Sequence, residues 1–226
     1  MRLALLSDVH GNLTALQAVA RAIREDHQVQ QVIVAGDLLQ GGPRPREVWQ
    51  TLLDLRWTLV GGNEDAALAA GYPPAALSIQ PQLAWSQAIT GAEIRRAIGA
   101  LPLEVRLTMP AGDLLVVHSS PRSTNDRAGA PHSSTTEVTD AYSGTGASAI
   151  AFGHWHQSFV RPMPFALLLN VASVGLPKSG RPLAAYTVLT ASATGWIVEQ
   201  QQIPYDPVYE EHAAIAVGMP PWRSSA

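Results

Sequence analysis

Seven side chains able to bind a divalent cation lie at or just beyond the ends of five short apolar runs. Leu3–Leu6 leads to Asp8 and His10, Val32–Ala35 to Asp37, Trp57–Val60 to Asn63, Leu114–Val117 to His118, and Ala149–Phe152 to His154 and His156. Alone, each has an ordinary use: Asp8 in a turn or cap, Asn63 as N-cap of the helix after Gly62, His118 as a satisfied strand-end histidine. In layered α/β proteins, however, ligands gather beyond the carboxyl ends of strands, where loops converge on a rigid frame. Asp8-x-His10 and His154-x-His156 are each spaced i, i+2, which on extended backbone turns both members of a pair to one side. Carboxylate, carboxamide and imidazole make a mixed oxygen and nitrogen set. It suits Mn²⁺ first, with Fe, Zn²⁺ or Ni as alternatives, and suits Ca²⁺ poorly. Seven ligands exceed the needs of one ion, so two ions sharing a bridging carboxylate is the economical assignment. Such ions, roughly 3.5–4 Å apart, activate water and clamp the oxygens of an in-line displacement at phosphorus.

These residues need strands to hold them, and the chain supplies candidates. Leu3 to Ser7 and Val32 to Ala35 are unbroken apolar runs of the kind buried on both faces. Asn12 is placed to cap a helix with Leu13, Leu16, Val19 or Ala20, and Ile23 at helical spacing. After the Gly41-Gly42-Pro43 turn, Glu47 to Leu55 is expected as a helix and Trp57 to Val60 as a third strand. Asn63 to Ala70 suits a short helix ended by Tyr72-Pro73-Pro74. Helices are expected over Ile79 to Ile89 and Ala92 to Ile98. The later chain turns to strands: around Val105 to Leu107, Leu114 to Val117, Ala149 to Phe152, Leu167 to Val171, Ala184 to Leu189 and Gly195 to Val198. Ser119 to Ser134, rich in Ser, Pro, Asn and Gly, reads as a surface loop that shapes substrate choice. Residues 206–226 read as a tail with at most a short helix around Glu210 to Ala216, packed on or trailing from a domain spanning residues 1–205. Helices between early strands, then strands in succession, predict two sheets packed face to face with helices outside.

Composition limits the functional classes. The chain has 226 residues, a formal charge of −3 and a pI of about 6.1, so it has no basic stripe with which to bind duplex nucleic acid stably. It has no cysteine, which excludes disulfides, thiolate ligands and a cysteine nucleophile. No apolar run approaches the ~20 residues of a membrane helix, and Met1 to Asp8 holds too few apolar residues for a signal-peptide core. A cytoplasmic protein with no membrane partner is expected, and a homo-oligomer remains open.

The segments Asp8-Val9-His10-Gly11-Asn12, Gly36-Asp37, Gly61-Gly62-Asn63-Glu64-Asp65, Val117-His118-Ser119-Ser120-Pro121-Arg122 and Gly153-His154-Trp155-His156 resemble, in order, the motifs of calcineurin-like metallophosphoesterases. The resemblance runs from residue 2 to about residue 190. Gly42-Pro43-Arg44-Pro45 and Asn170-Val171-Ala172-Ser173-Val174-Gly175 look like loops of the small prokaryotic phosphodiesterases of that superfamily, with Ala172 in place of a glycine. The resemblance implies an α/β (α+β) fold, a four-layer α/β/β/α sandwich with two metals at one edge. It implies that Asp8, His10 and His156 hold one ion, that Asn63, His118 and His154 hold the other, and that Asp37 bridges. Catalytic roles would fall to Asp37, Asn63 and His118, and a metal-bound hydroxide would attack.

Glu64 departs from the family pattern, which usually has histidine there to contact the phosphate and protonate the leaving group. A carboxylate beside a phosphate is repelled. Losing a general acid typically costs about 10²–10⁴-fold, and least for good leaving groups. A small phosphodiester, cyclic or nucleotide-like, is therefore the expected substrate. A phosphomonoesterase acting on nucleotides or phosphoproteins is the alternative, and a weakly active metal-bound nucleotide sensor a further one. Arg122 is suited to grip a phosphate through its fork, or to an ordinary surface ion pair; Asn63, Glu64 and Arg122 are the candidate substrate contacts. His132 and Arg44 are minor candidates. His27 and His212 have structural or tail positions, Trp155 packs the ligand loop, and Trp49, Trp57 and Trp85 are expected in the core.

Overall fold

A computed structural model describes residues 1–221. Strand alternation decides the layering. In β1 (Arg2–Leu6), Leu3 and Leu5 enter one core cluster while Ala4 and Leu6 enter another, because successive side chains point to opposite faces. β2 (Gln31–Ala35) does the same with Ile33 and Ala35 against Val32 and Val34. Both strands run parallel, and β3 (Thr58–Val60) continues the parallel set. β9 (Leu183–Ser192) pairs antiparallel with β1, and β10 (Gly195–Pro204) with β9, completing the order β10-β9-β1-β2-β3.

The second sheet has the order β4-β5-β6-β8-β7, from β4 (Glu104–Met109), β5 (Gly112–Val117), β6 (Ala149–Phe152), β7 (Phe159–Pro162) and β8 (Leu167–Asn170). β5, β6 and β8 are parallel to one another, while β4 and β7 lie antiparallel at the two edges. Leu114, Val116, Ala149, Ala151 and Leu169 meet Leu3, Leu5, Ile33 and Ala35 in the core between the sheets. Burying each Leu or Ile fully contributes about 1.5–3 kcal/mol relative to exposure.

Helices cover the outer faces. α1 (Leu13–Glu25), α2 (Pro45–Leu55), α3 (Asn63–Ala70) and α6 (Ala92–Gly99) supply Leu16, Val19, Val48, Leu52, Leu68 and Ile98 to the cluster outside the first sheet. α7 (Thr135–Tyr142) packs Val138, Ala141 and Tyr142 on Leu115, Val117, Ile150 and Phe152 outside the second. The molecule is thus layered α/β/β/α, as the resemblance implied. No helix among the described residues is long and apolar enough to cross a membrane.

Several local expectations change. The helix expected over Ile79 to Ile89 is α5 (Pro81–Thr90), and a further short helix, α4 (Pro74–Ile79), precedes it. Pro81 has no N–H to donate and disfavours helical backbone at the residue before it, so Gln80 leaves the helical region and α5 starts at the proline. Pro74, expected within the stop after α3, instead opens α4 at its first turn. α7 and β7 were not expected at all. Asn12 does cap α1, accepting from Ala15 N at 3.0 Å. Asn63 does not cap α3: Gly62 holds that position, and Asp65 reaches back to the Gly62 N–H at 3.0 Å. Trp49 and Trp57 pack on the core, but Trp85 lies outside the core clusters and donates its indole N–H to the Val217 carbonyl at 3.2 Å. The last helix, α8 (Val208–Ala216), begins before the expected Glu210. Glu210 is buried, accepts from Thr14 N at 2.7 Å and pairs with Arg44, so α8 is docked on the start of α1. Of the segment 206–226 read as a tail, residues 222–226 lie outside the described residues.

Candidate metal centre

The parallel strands of both sheets deliver the seven predicted ligands to one edge. Asp8 and His10 follow β1, Asp37 follows β2, Asn63 opens α3 after β3, His118 ends β5, and His154 and His156 follow β6. Backbone hydrogen bonds join neighbouring turns: Asp8 N to Gly36 O at 2.9 Å, His10 N to Asp37 O at 3.0 Å, and Gly153 N to His118 O at 2.9 Å. Asp8 ties the two sheets together, because its Oδ2 accepts from His154 N at 3.0 Å.

The i, i+2 pairs converge, but not on extended backbone. Asp8, His10, His154 and His156 have φ of 55°, 50°, 67° and 56°, and Asp37 has 54°. This left-handed region is sparsely used by non-glycine residues, and Asp and His enter it more readily than most. Each such residue costs on the order of 1–3 kcal/mol and persists only where its surroundings hold it. Here tight turns directly after the strands curl the ligands inward. Two glycines make room: a Cβ on Gly62 would lie 2.1 Å from Asp37 Oδ1, and one on Gly153 would lie 1.9 Å from Ser7 Oγ.

Asp8, His10 and His156 form one group of converging ligand atoms; Asp37, His118 and His154 form a second. In the first, His10 Nε2 and His156 Nε2 face each other at 3.1 Å, with Asp8 Oδ1 3.8 and 3.2 Å away. His10 Nδ1 lies 2.7 Å from the Gln40 carbonyl and His156 Nδ1 lies 2.9 Å from the Leu176 carbonyl. A carbonyl accepts only, so in both rings Nδ1 carries hydrogen, and in the neutral form of each ring Nε2 presents a lone pair. Asp8 Oδ1 is buried and takes no hydrogen bond. Two imidazole nitrogens and a carboxylate oxygen aimed at one point call for positive charge: burial works to lower the His156 pKa but Asp8 more than reverses it, so a proton on His156 meets that need where no metal ion does.

The second group shares with the first a histidine held from behind by a backbone carbonyl, but here the imidazole nitrogens face acceptor oxygens. His118 Nδ1 is fixed by the Ala35 carbonyl at 2.7 Å, leaving Nε2 toward Asp37 Oδ2 at 3.3 Å and Asn63 Oδ1 at 2.9 Å. Asn63 Oδ1 also lies 2.9 Å from His154 Nδ1. Backbone carbonyls behind ligand histidines set tautomer and ring orientation, as at metal sites generally.

The charges agree with this. Burial pushes the His10 and His154 imidazoles down toward the neutral form that binds metal. Burial also acts to lower His118, but the Asp37 carboxylate beside it prevails and raises its pKa to about 10. Asp37 in turn stays ionised: burial works against its charge, yet His118, His10 and the Glu64 N–H hold its pKa well below the usual carboxylate range. Protons on His118 stand in for the positive charge that the cage is built to receive.

Glu64 is half-buried, and its Oε1 accepts from Asn63 Nδ2 at 3.2 Å. Its carboxylate therefore holds the Asn63 amide in orientation. Arg122 is engaged with Asp126 through Nε at 3.0 Å and Nη2 at 2.8 Å. Arg44 is taken up by Glu210 and by Thr14 Oγ1 at 2.6 Å. Trp155 packs against the outer cluster beside His154.

Asp65 serves the site without being a candidate ligand. It is fully buried and accepts from Leu38 N at 2.9 Å and Gly62 N at 3.0 Å, locking the Asp37 turn to the Asn63 turn. Burial, then the charge of Asp37, raises its pKa to about 7. Ser173, which donates to the Asp8 carbonyl at 2.8 Å, and Asn170, which donates to the Gly153 carbonyl, play similar parts. For Asp65 the available signal was its third position in a helix opened by glycine, where an acidic side chain reaches back to the cap.

Comparison with known proteins agrees with the layering. The model of the calcineurin-like phosphoesterase superfamily domain matches residues 1–194. A metallophosphoesterase from Sphaerobacter thermophilus is similar in structure, with a TM-score of 0.78, 23% identity, and coverage of 97% of this chain and 95% of that one. A hypothetical protein from Pyrococcus horikoshii OT3 superposes with a TM-score of 0.85 at 18% identity, over 97% and 94% of the two chains. An uncharacterized protein of Methanocaldococcus jannaschii is 23% identical over 97% of this chain and 94% of its own length.

Proposed function

From the premise that the chain belongs to the calcineurin-like phosphoesterase superfamily, we propose that it is a two-ion hydrolase of small phosphodiesters, nucleotide-like or cyclic. Membership makes it a phosphoesterase with divalent metal ions; the ion count and the diester preference are the proposal. The observation that carries it is two adjacent groups, Asp8, His10 and His156 and then Asp37, His118 and His154, each converging its ligand atoms on one point, with the buried Asp8 Oδ1 left without a hydrogen bond.

Asp8, His10 and His156 would hold one ion, Asn63, His118 and His154 the other, with Asp37 between them. Mn²⁺ fits this oxygen and nitrogen set best, with Fe, Zn²⁺ or Ni as alternatives. Bound there, such ions polarise phosphoryl oxygens and make water a nucleophile near neutral pH. The chain's own part is positional. The Ala35, Gln40 and Leu176 carbonyls fix the imidazoles, and Asp65 fixes two turns. Glu64 orients Asn63.

The substrate preference is supported by what stands at position 64. Glu64 is occupied with Asn63, no imidazole replaces it, and a carboxylate does not favour a phosphate dianion. Without a positioned acid, turnover falls by about 10²–10⁴-fold for leaving groups that need a proton. Diesters with good or ring-strained leaving groups suffer least.

The test is metal analysis followed by assay. With Mn²⁺ in excess the chain should bind two ions and hydrolyse bis(p-nitrophenyl) phosphate with a higher kcat/KM than p-nitrophenyl phosphate. Fewer than two ions would overturn the two-ion site. Efficient hydrolysis of an alkyl monoester at neutral pH would overturn the diester preference.

A further inference from the structure

Lys178 is the only lysine in the chain. Its backbone N–H donates to the carbonyl of the ligand His156 at 3.2 Å, so the loop carrying it is tied to the metal centre. Its ammonium lies over the ring of Trp155, the residue between His154 and His156, at 5.7 Å from the centroid. Among the described residues no carboxylate is paired with it. Arg181, in the same loop, lines a different pocket, and Arg122 and Arg44 are paired with Asp126 and Glu210.

Beside it lies a cavity of about 260 Å³. Of the seven ligands only His156 lines it, together with Lys178, Gln157, Ser158, Ser179 and Gln202, and no carboxylate does. The cavity therefore flanks the cage instead of opening into its centre. One free cation among neutral hydrogen-bonding side chains selects an anion with several acceptor oxygens. The reacting phosphoryl group must lie between the two ligand groups, which leaves this cavity to something attached to it.

We propose that the cavity beside His156 is a subsite for a second, non-reacting phosphate of the substrate, with Lys178 as its cationic contact. This rests on the phosphoester reading above and narrows it to diesters that carry a further phosphate, as a nucleoside polyphosphate ester does. Lys178 has no part in bond breaking; it aligns the chain of phosphates so that one of them falls on the metals.

Because Lys178 is unique, amine chemistry reports on it directly. The Mn²⁺-loaded protein is treated with formaldehyde and cyanoborohydride, and dimethylation of Lys178 is followed by peptide mass spectrometry. The α-amino group of Met1, bonded to the Ala191 carbonyl far along the chain, is the internal control. ATP, with Mn²⁺ kept in excess, should slow modification of Lys178 at least about threefold and leave Met1 unchanged. Absence of protection overturns the subsite, and equal protection by inorganic phosphate assigns the cavity to free phosphate and overturns it as well. In the kinetic arm, Lys178→Met should lower kcat/KM for the γ-p-nitrophenyl ester of ATP relative to bis(p-nitrophenyl) phosphate by about tenfold, and Lys178→Arg should restore most of that ratio. An unchanged ratio in a folded variant overturns the proposal. If the wild type hydrolyses neither ester, the hydrolysis reading falls and the labelling arm alone decides the subsite.

Discussion

Glu64 accepts a hydrogen bond from the Asn63 carboxamide at 3.2 Å, and that amide turns its oxygen to His118 and His154 at 2.9 Å each. An amide is planar, so fixing its nitrogen fixes its oxygen. Removing the acceptor frees the Asn63 side chain to rotate, and outer partners of this kind are worth about 10–100-fold in metal affinity. Glu64→Ala should weaken one of the two ions by that factor, while Glu64→Gln, which keeps an acceptor, should weaken it less. Calorimetric titration with Mn²⁺ separates the sites; two unchanged affinities in Glu64→Ala would contradict the positioning role. The missing imidazole at this position was legible in the sequence, because it is a matter of residue type. Its job of holding Asn63 was not, because that depends on a rotamer set by the start of α3. Asp65 teaches the same lesson, since one of its two acceptor bonds reaches a turn 27 residues away.

Among the elements, four of the five strands that lead to the candidate ligands were legible because each holds an unbroken apolar run, which a sheet covered on both faces demands; β3, with Thr58, is the exception. The turns after them were not. A left-handed φ at Asp8, His10 or Asp37 is imposed by hydrogen bonds to the neighbouring strand's turn, and no local pattern announces it. α7 was missed although Ser134 and Glu137 form a capping box, because eight residues with Val138 as their lone aliphatic side chain of Val, Leu or Ile type look like more loop. The loop before it, residues 119–134, owes its shape to Asp126. That carboxylate accepts from Ser120 Oγ at 2.6 Å, Ala128 N at 3.0 Å and the Arg122 guanidinium, while its backbone carbonyl takes Ser119 Oγ at 2.7 Å. Burial opposes the charge on Asp126, but Ser120, Ala128 and Arg122 lower its pKa below the ordinary 3.8 of an aspartate. A depressed carboxylate contributes order that is present above its unfolded pKa and is lost as the pH falls through the folded one. The loop should therefore be intact at pH 5 and loosen below about pH 3.8. Asp126→Ala should loosen it at every pH and leave the metal content near two. Hydrogen exchange of residues 119–128 at pH 5, for wild type and variant, measures this; equal protection in both would remove Asp126 as the hub.

Across the whole molecule the ligands divide between the sheets: Asp8, His10, Asp37 and Asn63 follow strands of the first, His118, His154 and His156 strands of the second. Ions held by both groups would pin one sheet to the other, so loading should appear as global stability. At a free metal concentration one hundred times Kd, binding adds about 2.7 kcal/mol. For a chain of this size that corresponds to a rise in Tm of roughly 5–10 °C. The effect should grow with pH, and His118 sets the sign. Burial lowers its pKa and Asp37 more than reverses this, to about 10, above the unfolded 6.5. A raised histidine stabilises the metal-free fold fully below pH 6.5 and loses that contribution as the pH rises through about 10. Metal binding needs the same nitrogen unprotonated, so the metal must displace that proton, and does so more easily as the pH rises. Both effects widen the gap between loaded and metal-free Tm in the same direction. Thermal melts with Mn²⁺ and with chelator at pH 6.5 and 8.5 should show the larger difference at pH 8.5. A gap that narrows with pH would mean that His118 gives up no proton to the metal, and that the cage is not the one described.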